Sequence, residues 1–360
     1  MISLRGLSLA LALAGAAIAD ISDVPRPRIG NAPYGVDITA CSVPGTLALT
    51  FDDGPAEYTG ELLNILAEND VAATFFVTGL NGDAGPIDDP STGRPALLKR
   101  MLAEGHQIGS HSWSHQDADL IGPEEKRQEV ILNEVAFTKL FGFFPTYYRP
   151  PYTHCNGECF AVLEQFGYHI TNYNLDTKDW EVSVSQAKDN FAGLLGGFSP
   201  QSSGVIALAH DIHANTVREL TQFMIDKARA AGYNLVTVGE CLGDPEVNWY
   251  RDSKTGGPVD ESRLRNAGAK PTPSSSSSAP ASTTTSSAQA SSTSAEATSS
   301  LEESTAPTSS FAALPTETAD GELPGPPENK GVETVGEQSA AARGVYPSLA
   351  FLLGMALWWM

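Results

Sequence analysis

Two adjacent carboxylates, Asp52 and Asp53, follow the apolar run 46–51 and stand before Gly54-Pro55, a turn that a β-strand cannot continue through. Two acids are therefore held at the C-terminal end of a strand. His111 and His115 lie four residues apart in His-Ser-Trp-Ser-His, and His210 follows another apolar strand. One carboxylate and two neutral imidazoles make a three-ligand site that leaves positions open for water and substrate, as a catalytic divalent metal requires. The second carboxylate is then free to act as a base.

These residues need a frame that brings strand ends together. From residue 40 to 238, apolar runs of strand length alternate with amphipathic helical stretches, the pattern of an α/β fold with a parallel sheet. Seven strands are expected, over 46–51, 73–77, 107–109, 147–149, 169–173, 204–209 and 234–237. Helices are expected over 61–68, 96–104, 124–141, 160–166, 184–195 and 216–231. In a (β/α) barrel the strand ends converge on one face, where catalytic residues sit. Seven strands is one short of the usual eight, so an irregular or incompletely closed barrel is expected.

Composition changes abruptly near Ala267, and only the part before it reads as foldable. Residues 1–19 have the early positive charge, apolar core and small-residue end (Ala17-Ile18-Ala19) of a secretory signal peptide. Secretion makes disulfides the expected state of Cys41, Cys155, Cys159 and Cys241. Of the possible pairings, Cys155 with Cys159 closes a tight loop and Cys41 with Cys241 ties the ends of the catalytic domain, 20–265. That domain carries 34 acidic and 18 basic side chains, a net charge of −16, which disfavours nucleic acid as a partner. A neutral polymer is tolerated, and one that becomes cationic is attracted.

Residues 266–344 are rich in Ser, Thr and Ala and read as a disordered, O-glycosylated stalk. The uncharged run 345–360 is shorter than the ~20 residues of a bilayer span and no Lys or Arg follows it. With small residues at Ser339, Ala340 and Ala341 before it, the run reads as a GPI-anchor signal, with attachment at Ser339 or at Asn329. The expected product is a secreted monomer tethered at the outer face of the plasma membrane, within reach of a cell wall.

Five motifs, TFDDGP at Thr50, HSWSH at His111, RPPY at Arg149, DTKDW at Asp176 and LAH at Leu208, occur in order over residues 50–210. Together they resemble the polysaccharide deacetylase family, the family four carbohydrate esterases. RPPY, DTKDW and the extended Leu208-Ala209-His210-Asp211-Ile212-His213 are similar to fungal chitin deacetylases in particular. Amide hydrolysis needs a strong nucleophile, a stabilised oxyanion and a proton for the departing amine. The resemblance implies that Asp53, His111 and His115 hold a metal, Zn²⁺ foremost, with Co²⁺ or Mn²⁺ fitting the same site, and that Asp52 takes a proton from water. It implies that the Tyr152 amide, beside Pro151, faces the oxyanion and that Arg149 stands near the base. His210 would protonate the sugar nitrogen, with Asp179 keeping its imidazole charged and oriented, and Leu208 and Trp180 would line the pocket for the acetyl methyl. His106 and His169 fall outside the motifs and read as structural, and Asp176 reads as shaping its loop.

The implied reaction is metal-dependent deacetylation of chitin or chito-oligosaccharides. Acetylxylan and peptidoglycan present the same acetyl chemistry. An idle chitin-binding wall protein would have no use for a matched base and acid, and an oxygenase built on the same two histidines and carboxylate would leave Asp52 and His210 without a task.

Overall fold

The computed structural model describes residues 21–268. The expected leader, the stalk from residue 269, the terminal apolar run and both candidate attachment residues, Ser339 and Asn329, lie outside the described residues. The described chain forms strands β1 (Asp37–Ile38), β2 (Thr46–Asp52), β3 (Thr74–Val77), β4 (Gln107–Ser110), β5 (Phe143–Pro145), β6 (Tyr147–Tyr148), β7 (His169–Thr171), β8 (Leu175–Asp176), β9 (Val205–His210), β10 (Asn234–Val236) and β11 (Tyr250–Asp252). Nine of them make one parallel sheet in the order β1-β7-β6-β4-β3-β2-β9-β8, with β10 also on β2. The end strands β1 and β8 do not pair with each other, so this is a curled, incompletely closed (β/α) barrel. β5 and β11 form a separate antiparallel pair.

β2 is the centre of the sheet, and its sequence shows why. All seven of its residues are buried, the mark of a parallel strand covered on both faces. β9 runs along one edge of β2, while the other edge is shared: β10 pairs with 46–48 and β3 with 50–52. The helices Thr59–Glu68, Arg94–Ala103, Pro123–Phe141, Gly157–Gln165, Val184–Leu195 and Thr221–Ala230 fill the connections. In the first of these, Leu62, Leu63 and Leu66 are fully buried along one stripe, each burial worth about 1.5–3 kcal/mol. The longest begins with Pro123 at its first turn and ends at Gly142, whose φ of +74° closes the helix in the left-handed region.

All seven expected strands are present. β1, β5, β8 and β11 are additional short strands of two or three residues that the sequence pattern does not mark. The expected helix over 216–231 opens with a wider π turn, Thr216–Leu220, before the α-helix. Cys41 is bonded to Cys241 and Cys155 to Cys159, the expected pairing.

Candidate active site

Asp52 ends β2 and His210 ends β9, opposite each other in the parallel register. The chain turns immediately afterwards. Asp53 takes φ +76°, a left-handed conformation that few non-glycine residues adopt. Gly54 must lack a side chain, since a Cβ there would lie 2.1 Å from Oδ2 of Asp211. Asn81 Nδ2 donates to the Asp53 carbonyl at 3.0 Å, and the Thr78 N–H donates to the Gly54 carbonyl at 3.2 Å.

His111 and His115 come from the loop leaving β4, not from a helix. Ser112 and His115 both have positive φ, and the loop closes until the two imidazole centroids are 5.0 Å apart. The helix Pro123–Phe141 holds this loop: buried Asn133 donates to the carbonyls of Val77 and Ser112, and Glu129 accepts from the N–H and hydroxyl of Ser114.

The resulting cluster gathers a carboxylate and two imidazoles around one point. Nδ1–H of His111 donates to the Arg149 carbonyl at 2.7 Å, which leaves Nε2 of the neutral ring as an acceptor, 3.5 Å from Asp53 Oδ1. Burial pushes His111 down to about 4, so the ring is neutral. His115 Nε2 lies 3.1 Å from the same oxygen. Burial pushes Asp53 up, but the neighbouring imidazoles of His115 and His111 outweigh it and hold the carboxyl well below the usual range. Oδ1 of Asp53 is buried without a hydrogen-bond partner. A carboxylate and two imidazoles whose ligand atoms all lie within 4.8 Å of one another, with an orphaned oxygen among them, fit a divalent cation.

Arg149 and Asp52 form a buried pair on one side. The Arg149 guanidinium donates from Nη1 to Asp52 Oδ1 at 2.8 Å and to Thr50 Oγ1 at 2.7 Å, and it donates to the carbonyls of Thr171 and Asn172. It lies 4.1 Å from the centre of the Phe76 ring. This arrangement uses the guanidinium in several directions at once, which a lysine could not match. The second oxygen of Asp52 stands 3.8 Å from His111 Nε2.

His210 and Asp179 form the other side. The Nδ1–H of His210 donates to Asp179 Oδ1 at 2.8 Å, the His210 backbone N–H donates to Oδ2 at 2.8 Å, and Thr216 Oγ1 donates to Oδ2 at 2.7 Å. Burial pushes His210 down, but Asp179 overrides it and raises the ring to about 9, so the imidazole is charged at neutral pH. Burial raises Asp179, and its bonds from His210 and Thr216 bring the net shift below the usual value. His213 lies 6.0 Å from His210, ring centre to ring centre.

Tyr152 and Thr153 follow Pro151 with φ of +60° and +58°, and the Tyr152 ring packs 4.6 Å from that of His115. Trp180 is 56 % exposed and is therefore not core. It borders a cavity of about 210 Å³ also lined by Val182, Val184, Ala187, Leu220 and His213. Leu208 is buried two residues before His210 on β9, on the same side of the strand, and does not line this cavity. Asp176 accepts from the Lys178 N–H at 2.8 Å, a loop-shaping bond. His106 accepts from the Ala73 N–H and His169 bonds the Pro33 carbonyl, both structural contacts.

Three supports are not marked as site residues by the sequence. Thr216 bonds Asp179 across 37 residues and Asn133 holds a loop that precedes it. Asp211 is completely buried, accepts from Thr59 Oγ1 at 2.5 Å, and is pushed by burial up to about 7.

Residues 40–171 match the family model described as polysaccharide deacetylase. The chain is 44% identical over 239 residues to a chitin deacetylase of Pestalotiopsis sp, covering 66% of this chain and 76% of that protein. It is 39% identical over 257 residues to a chitin deacetylase of Colletotrichum lindemuthianum, covering 69% of this chain and 98% of the relative. The solved structure of the chitin deacetylase from that fungal pathogen superposes with a TM-score of 0.58 at 41% identity, covering 61% of this chain and 97% of the other.

Proposed function

This chain belongs to the polysaccharide deacetylase family, and from that premise we propose that it hydrolyses the N-acetyl groups of chitin or chito-oligosaccharides, giving chitosan and acetate. The observation that carries the reading is the opposed pair at the strand ends, a carboxylate with one free oxygen and a charged imidazole, on either side of a metal-fitting cluster. Asp53, His111 and His115 would hold the ion, Zn²⁺ or, in the same site, Co²⁺ or Mn²⁺. When bound, it supplies polarisation of the acetyl carbonyl and acidification of water.

The remaining work falls to side chains of this protein. Arg149 occupies Oδ1 of Asp52 and leaves Oδ2 to accept the proton of the attacking water. As the water oxygen bonds to the acetyl carbon, the Tyr152 N–H donates to the oxygen that gains charge. His210, charged by Asp179, gives its proton to the sugar nitrogen as the carbon–nitrogen bond breaks, so that an amine and not an amide anion departs. Trp180, with an exposed face, packs against the sugar or its acetyl group.

The leader and tail expected from the sequence support a secreted protein held by a lipid anchor at the outer face of the plasma membrane, working on wall polymer as a monomer. Phosphatidylinositol-specific phospholipase should release active protein from intact cells; recovery of a mature C-terminal peptide containing Trp358 would defeat that anchoring. The polymer is tested by acetate release from chitin oligomers, acetylated xylan and peptidoglycan side by side, with turnover on the oligomers expected to dominate. Full turnover after exhaustive chelation would refute the metal.

A further inference from the structure

Asp211 takes part in no step above, yet it lies at the base of the site. Its carboxyl group is completely buried and lies flat against Gly54: a Cβ on that glycine would be 2.1 Å from Oδ2 and 2.3 Å from Oδ1. Oδ2 accepts from Thr59 Oγ1 at 2.5 Å, and the same hydroxyl accepts from the Ala56 N–H at 2.7 Å. A two-bond chain thus runs from the residue after β9, through the first residue of the helix Thr59–Glu68, to the far end of the turn 53–56. Oδ1 is buried with no partner, so the group is kept at a cost that packing alone does not explain.

We propose that Asp211 is a positioning residue for Asp53: it supports Gly54 from below and, through Thr59, grips the Ala56 amide, fixing the left-handed backbone that aims the Asp53 carboxylate at the two imidazoles. The inference rests on the metal reading given above. The strained backbone at Asp53 persists only if its surroundings over-determine it, and the contacts above contribute to that at the residues that follow it. Removing the carboxyl opens a void under Gly54 and leaves Thr59 with one fewer acceptor, so the turn relaxes. Burial favours the neutral carboxyl, which makes Asn the conservative replacement: its amide oxygen can still accept from Thr59.

The test is Zn²⁺ titration of the metal-free full-length protein, with thermal melting of the same metal-free samples. Asp211→Ala should weaken Zn²⁺ binding about 10- to 100-fold, the usual loss on removing an outer support of a ligand. Thr59→Val, which breaks the chain at nearly constant volume, should weaken it in the same direction, and Asp211→Asn should restore affinity to within about threefold of the original. A residue serving the fold alone would lower the melting temperature and leave affinity unchanged. If Asp211→Ala does not fold, Thr59→Val and Asp211→Asn carry the comparison. Zn²⁺ affinity within twofold of the original in Thr59→Val would overturn the inference while leaving the metal site intact; no Zn²⁺ binding by the unsubstituted protein would overturn both.

Discussion

His111 and His210 are the same residue type held in opposite charge states, and each state follows from what faces Nδ1. A carbonyl oxygen faces His111 and adds little charge, so burial decides and the ring is neutral, with Nε2 free to bind a cation. A buried carboxylate faces His210 and outweighs burial, raising the ring to about 9 and making it a proton donor at neutral pH. Activity that depends on the charged ring should persist through neutrality and fall as pH rises through about 9. Asp179→Asn removes the charge that raises it, so the basic limb of kcat/KM should move down toward the ordinary histidine value of about 6.5. The sign for stability is the same: the pair stabilises the fold fully below pH ~6.5 and that contribution is lost as pH rises through the folded value. An unmoved basic limb in the Asn variant would remove His210 from the acid role. The two adjacent aspartates separate by another measurement. Asp52→Asn should retain metal and lose at least about 100-fold in kcat, since an amide cannot take the water's proton, whereas Asp53→Asn should lose metal. The reverse pattern of metal content would exchange their roles.

At the scale of elements, the sheet brings together residues that the chain keeps far apart, and one of the long closures is covalent. Cys41, before β2, and Cys241, after β10, are bonded across 200 residues. Removing the bond frees a long loop in the unfolded chain, so Cys41→Ser with Cys241→Ser should cost about 2–4 kcal/mol, read as a lower denaturation midpoint. A midpoint unchanged from the original would mean that packing of β10 on β2 alone holds that closure. β2 and β9 were legible because they are long, apolar and end in ionisable residues, so the opposition of Asp52 and His210 followed from strand ends on one face. β1 and β8 were not, because Asp37-Ile38 and Leu175-Asp176 stand in no continuous apolar run, and their pairing is supplied by neighbours already in place. The Asp52–Arg149 contact spans 97 residues and the Asp211–Thr59 contact 152, distances over which spacing holds no information. Residue types at strand ends could be read as chemistry; the supports under them depend on which helix packs against which loop.

At the scale of the whole molecule, charge sets what the substrate becomes to the enzyme as it reacts. Residues 20–265 carry a net charge of −16, and the full chain −21. A fully acetylated chito-oligosaccharide is neutral and feels little of this field. Each acetyl removed exposes an amine that is protonated near neutral pH, so the product is drawn toward the acidic surface that its precursor ignored. Exposed charges interact through water and are screened beyond about 10 Å at 0.1 M salt and about 3 Å at 1 M. Partly deacetylated oligomers should therefore bind less tightly as salt rises, by about 10-fold in Kd between 0.05 and 0.5 M on a reach of several charges, while the KM for the fully acetylated oligomer should stay within about twofold. Product inhibition should ease in parallel, so progress curves on long oligomers should straighten at high salt. Equal salt dependence for the neutral and cationic oligomers would show that the acidic surface plays no part in retaining product, and that release is governed by contacts within the groove alone.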